Sequence, residues 1–146
     1  MDVISQVVNA LVYLHPWHTL VVHFSVALPS VAALFILLAL WRRSELFEQF
    51  AYINIVLAAI STAVAGLTGI RDHFVRFDGD TPYISVKIFL GVSLLLLTTV
   101  MAVSRRRNPD LLWNPSTVLL YVAGFGASFC LAAVLGFFGG AILYGI

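Results

Sequence analysis

The chain has 146 residues, of which 61% are hydrophobic and 10% charged, with a formal net charge of +1. One ordinary domain fits that length, but the composition excludes a water-soluble one, because so few polar side chains cannot cover a folded surface. The near-neutral charge, with basic residues grouped by loop rather than along a face, also excludes a nucleic-acid interface.

Residues 2–13 come first. Asp2, Ser5, Gln6 and Asn9 fall on one helical stripe and Val3, Val7, Ala10 and Leu11 on the other, so this segment reads as a short helix lying in the membrane interface. With no Lys or Arg before Arg42, and an apolar run too long for a signal-peptide core, it is expected to be retained.

Four stretches then reach the length of about 20 apolar residues that a bilayer crossing needs: 18–41, 50–70, 83–103 and 116–144. The expected fold is all-α, a single transmembrane four-helix bundle over residues 1–146. Pro16 suits the first turn of the first span, and Pro29 removes a hydrogen bond to the Ser25 carbonyl.

Orientation follows from the short connections. The first carries Arg42 and Arg43 and the third Arg105, Arg106 and Arg107; the second, "RDHFVRFDGDTP", dilutes Arg71 and Arg76 with Asp72, Asp78 and Asp80. The positive-inside rule therefore places both termini and the second connection outside. Trp17, Tyr83 and Tyr144 then mark the outer boundary, and Trp41, Tyr52 and Trp113 the inner one. Cys130, alone in the fourth span, is expected to be a small buried packing residue.

On this topology all four histidines, His15, His18, His23 and His73, share the outer side. Ionisable groups inside a membrane are costly and point to function. His15, His18 and His73 lie where an imidazole can be solvated, but His23 sits five residues inside His18, about 7.5 Å deeper. The same spacing puts His18 and His23 about 140° apart around the helix, so they cannot serve one face of a planar cofactor. At the depth of His23 the other helices offer Gly66, Lys87 or Ile88, and Gly139. Those glycines either let helices pack closely or leave room for a macrocycle whose metal takes His23 as axial ligand. For a haem, His23 would hand its other N–H to the Thr19 carbonyl, and Arg71, Arg76 and Lys87 lie on the correct side to meet the propionates. The second axial ligand, His18 or His73, is unresolved by spacing. Asp72, His73, Asp78 and Asp80 match no metal-ligand pattern.

The segments "WHTLVVHFSVALP", "AVAGLTG" and "GFFGGAILYG" resemble the bacterial membrane proteins of domain-of-unknown-function family 2231. That family's first helix reads His-Pro, three apolar residues, then His-Phe-Pro; His18, His23 and Phe24 match it, while Thr19 and Ser25 stand where prolines are usual. The resemblance covers all four spans. It implies a bacterial inner-membrane location and, because some relatives carry an attached Rieske iron–sulfur domain, a redox setting. This chain's single cysteine excludes a two-Cys, two-His cluster of its own. Relatives also show a histidine near the start of the third span, where this chain has Lys87.

The leading expectation is a small membrane subunit that binds haem b near the outer face through His23. It would pass electrons between a membrane oxidoreductase and a quinone or periplasmic carrier. No nucleophile, acid/base pair or phosphate-binding loop marks the chain as an enzyme alone. The competing expectation is a cofactor-free accessory or scaffold subunit of a respiratory or photosynthetic complex, or one whose His23 ligates the magnesium of chlorophyll. A transporter is disfavoured by the shortage of charges within the spans.

Overall fold

A computed structural model describes residues 2–9, 17–76 and 83–144. It contains five helices: α1 (Val3–Asn9), α2 (Trp17–Arg42), α3 (Glu45–Arg76), α4 (Ile84–Arg107) and α5 (Val118–Tyr144). The last four hold candidate membrane spans, and no strand occurs among the described residues. The expectation of an all-α membrane bundle is met.

α1 opens on a reciprocal cap. Asp2 Oδ1 accepts the Ser5 N–H at 2.8 Å, and the Ser5 hydroxyl donates to the Asp2 carbonyl at 2.9 Å. Val3, Ile4 and Val7 are exposed, and among the described residues α1 touches none of the other helices. Residues 10–16, including His15, lie outside the described residues.

The α2–α3 hairpin is the tightest connection. Arg43 takes the left-handed conformation (φ 48°), and the Ser44 N–H reaches back to the Ala39 carbonyl at 3.1 Å, a Schellman closure with Arg at the position glycine usually fills. Phe35 stacks on Phe47 with centroids 6.1 Å apart and meets Phe50 at 5.4 Å, bracing the turn. α3 outruns the apolar stretch 50–70 at both ends because Glu48 and Asp72, which interrupt the hydropathy, are buried and ion-paired, Asp72 with Arg71 of the same helix and Glu48 with Arg105 of α4. α4 ends at Asn108, extended before Pro109 as that proline demands. The link to α5 is folded by Asn114 Oδ1, which accepts from Ser116, and by the Thr117 hydroxyl, which donates to the Leu111 carbonyl.

The helices stand in a square: α2 packs against α3 and α5, α4 packs against α3 and α5, and across the diagonals the backbones stay apart, although the Tyr121 side chain on α5 reaches Glu48 on α3. Their buried positions repeat at alternating three- and four-residue steps. On α3 these are Glu48, Ala51, Ile55, Ala58, Thr62, Ala65 and Asp72; on α2, Ser25, Pro29, Ala32, Ile36 and Ala39. Such a heptad keeps one stripe facing the partner helix. Alanine and short polar residues predominate in the stripe, while large residues such as Leu34, Leu57, Leu96 and Phe137 face outward, as suits a bundle surrounded by lipid. Ile36, Ile55, Met101, Leu112, Tyr121 and Phe125 fill the half of the bundle near the α2–α3 turn, the arginine end. The other half is the histidine end.

Candidate functional site

At the histidine end, heptad register decides which imidazole faces in. His18 is seven residues above buried Ser25 and falls on the inner stripe; His23 does not. His23 is the deeper of the two along α2, but His18 is the more buried. His18, expected to be solvated at the interface, is half-buried between α2 and α3, with Nδ1 2.9 Å from the Ala65 carbonyl oxygen. That carbonyl can only accept, so Nδ1 carries the proton. Gly69 makes the approach possible: a Cβ there would stand 3.0 Å from His18 Cε1 and 3.2 Å from Nδ1. Thr68 Oγ1 lies 3.5 Å from Nδ1 but spends its proton on the Val64 and Ala65 carbonyls. Buried Asp72, paired with Arg71 at 3.0 Å, and half-buried Lys87 on α4 both act electrostatically on His18.

His23, expected inside the bundle, is exposed on the outward face of α2. Its Nδ1 stands 2.5 Å from the Thr19 carbonyl oxygen. The acceptor must again receive a proton, so the neutral ring holds its lone pair on Nε2, away from the helix. One turn further along the same flank, Val26 meets α5 at Gly136, where a Cβ would be 3.4 Å from Val26 Cγ1. The helices are antiparallel, so one turn outward from Gly136 brings Gly140 level with His23. A Cβ on Gly140 would meet nothing within 4 Å. The imidazole thus overhangs a seam between α2 and α5 with an open glycine on its far side.

The other expected residues are placed elsewhere. Gly66 is exposed on α3 with open space around it, and its position relative to Ser61 and Thr68 puts it on the flank away from α2. Gly139, seven residues beyond buried Ala132, is half-buried, and a Cβ there would meet nothing within 4 Å. His73 is half-buried near the end of α3, its ring 5.0 Å from that of Phe74. Lys87 acts on His18 and Arg71 pairs with Asp72. Nothing is described of the Arg76 side chain or of residues 77–82. Among the described residues no three His, Cys, Asp or Glu side chains form a metal-binding group.

Sequence reasoning missed a second polar centre, at the arginine end. Glu48 is 1% exposed and receives both Arg105 Nε and Nη2, the latter at 2.7 Å on Oε2; the Tyr121 hydroxyl donates to Oε1 at 3.1 Å. The guanidinium also lies 5.5 Å from the Tyr52 ring centroid. The network joins α3, α4 and α5, and its partners saturate the carboxylate, so it acts as a clamp. The signal in the sequence is a pair of opposite charges, Glu48 and Arg105, flanking two apolar runs.

Fold and composition together define a four-helix integral membrane protein. The family model described as a predicted membrane protein, DUF2231, matches residues 14–145, and the chain belongs to that family. No curated protein and no solved structure matches it.

Proposed function

We propose that the protein is a small membrane subunit that ligates haem b through His23 Nε2 and takes part in electron transfer within a larger membrane complex. The carrying observation is the 2.5 Å bond from His23 Nδ1 to the Thr19 carbonyl. Metal-ligating histidines characteristically hand their second N–H to a carbonyl or carboxylate, which fixes the ring and leaves the other nitrogen as a basic lone pair. Here that lone pair is presented on an apolar, lipid-facing surface, where an unsatisfied polar atom is costly and a ligand for it is favoured. Gly140 supplies a backbone floor on α5 where a Cβ would meet nothing. Bound there, haem would supply a one-electron redox centre at the histidine end of the membrane.

His18 is not a second ligand to the same iron, because it points into the α2–α3 contact, bonded to Ala65. A sixth ligand would come from outside the described residues or from another subunit. The purified protein is expected to show a dithionite-reduced minus oxidised haem spectrum that His23→Ala abolishes and His18→Ala keeps. The same seam also supports a reading with no cofactor, in which Nε2 accepts a hydrogen bond from a neighbouring subunit's helix. A colourless, folded preparation that copurifies with a respiratory or photosynthetic complex would decide for that reading, and extractable chlorophyll would replace iron by magnesium.

A further inference from the structure

Within the four apolar stretches the sequence places a single amide side chain, Asn54 on α3. Its flank of the helix is fixed by neighbours on the same side. Phe50, four residues before it, meets Phe35 of α2 at 5.4 Å, and Ser61, seven residues after it, meets Ser25 of α2 at 3.1 Å. Interpolated between those two crossings, Asn54 is level with Val31. Val31 stands ten residues from Trp41, about 15 Å, which is half the hydrocarbon thickness of a bilayer. The amide, half-buried, therefore lies near mid-membrane on the outer side of the α2–α3 seam.

Asn54 Nδ2 donates to the Phe50 carbonyl at 2.8 Å. A carbonyl can only accept, so this bond fixes which end of the amide is nitrogen. It uses one of the two N–H groups. Among the described residues nothing meets the second N–H or Oδ1. Hydrocarbon offers neither donor nor acceptor, so a half-paired amide at this depth is costly, and another membrane helix is its usual complement.

We infer that the outer α2–α3 face docks a second copy of this chain, with the two Asn54 amides exchanging reciprocal N–H to O hydrogen bonds across a twofold axis along the membrane normal. An amide carries a donor and an acceptor at once, so identical groups satisfy each other at an isologous contact. Copies in one membrane share an orientation, and a twofold axis along the normal brings the same depth of each together. Val31, Phe50, Ile53 and Leu57 are exposed around the amide and supply the apolar surface that packs beside it. His23 lies on the other flank of α2, towards α5, so the inference stands whether or not haem is bound.

The test uses the full chain carrying donor or acceptor fluorophores on a C-terminal tag, reconstituted in vesicles at falling protein-to-lipid ratios. Energy transfer should report a dimer that dissociates on dilution. Asn54→Leu should weaken it about tenfold, the effect of losing two interhelical hydrogen bonds, and Asn54→Gln should keep most of the affinity. For cross-linking, Cys130, which the structure leaves exposed on α5 rather than buried as expected, is replaced by serine. Oxidation should then link Leu57→Cys protomers and leave Val92→Cys, exposed on α4, unlinked. Energy transfer absent at every ratio overturns the inference, as does a dimer that Asn54→Leu leaves unchanged or one that links through Val92→Cys instead. A protein that stays monomeric and copurifies through Asn54 with a different membrane protein also overturns it. If Asn54→Leu does not fold, the cross-linking pair, which keeps Asn54, decides alone.

Discussion

Replacing Arg105 by Met tests the clamp at the arginine end. Glu48 is 1% exposed, and both of its carboxylate oxygens face Arg105, with Tyr121 as its further donor. Removing the guanidinium leaves a carboxylate that neither water nor another described cation reaches, and stranding one member of a buried ion pair costs about 3–5 kcal/mol. Tyr121 contributes one hydrogen bond to that carboxylate, and a bond to a charged group is worth about 1.5–3 kcal/mol, so Tyr121→Phe should cost less than Arg105→Met. The double variant Glu48→Leu/Arg105→Met should recover most of the loss, since apolar residues of similar volume can replace a buried pair at little cost. Reversible unfolding in mixed micelles measures all three. An Arg105→Met variant within about 0.5 kcal/mol of the unmodified protein, the range of an ordinary surface change, would refute the reasoning. So would a double variant less stable than the single one.

Gly69→Ala should destabilise the bundle by about 1–3 kcal/mol, the usual range for overpacking, because its Cβ would press on the His18 ring at 3.0 Å. Gly66→Ala, with open space around it, should be neutral or slightly stabilising through helix propensity, and His18→Ala should relieve Gly69→Ala; melting temperatures decide both. At the N-terminus, the Ser5 hydroxyl and N–H hold the Asp2 carboxyl below its ordinary pKa. A depressed carboxylate contributes stability that is complete above the unfolded pKa and lost as pH falls through the folded one. The Ser5 amide resonance should therefore shift as α1 frays in acid, and Asp2→Asn should abolish that dependence.

Four crossings were legible because hydropathy over 20 residues depends on composition, which needs no partner helix. The ends of α3 were not, because Glu48 and Asp72 belong to a membrane helix only through partners, one of which, Arg105, lies 57 residues away in sequence. At the site, helical geometry correctly separated His18 from His23 and anticipated the Thr19 carbonyl as the partner of His23. Which ring turns inward depends on the register of the Ser25–Pro29–Ala32–Ile36–Ala39 stripe, and a helix apolar on every side does not reveal its register. The glycine that matters for His18, Gly69, lies one turn beyond the one depth-counting selected, because contact depends on azimuth as well as depth.

Absorbance-monitored titration of the detergent-solubilised, haem-stripped protein with haemin asks most directly whether His23 Nε2 is a ligand. The proposal predicts a saturable Soret shift, retained by His18→Ala and lost in His23→Ala. An identical titration in the unmodified protein and in His23→Ala would contradict it.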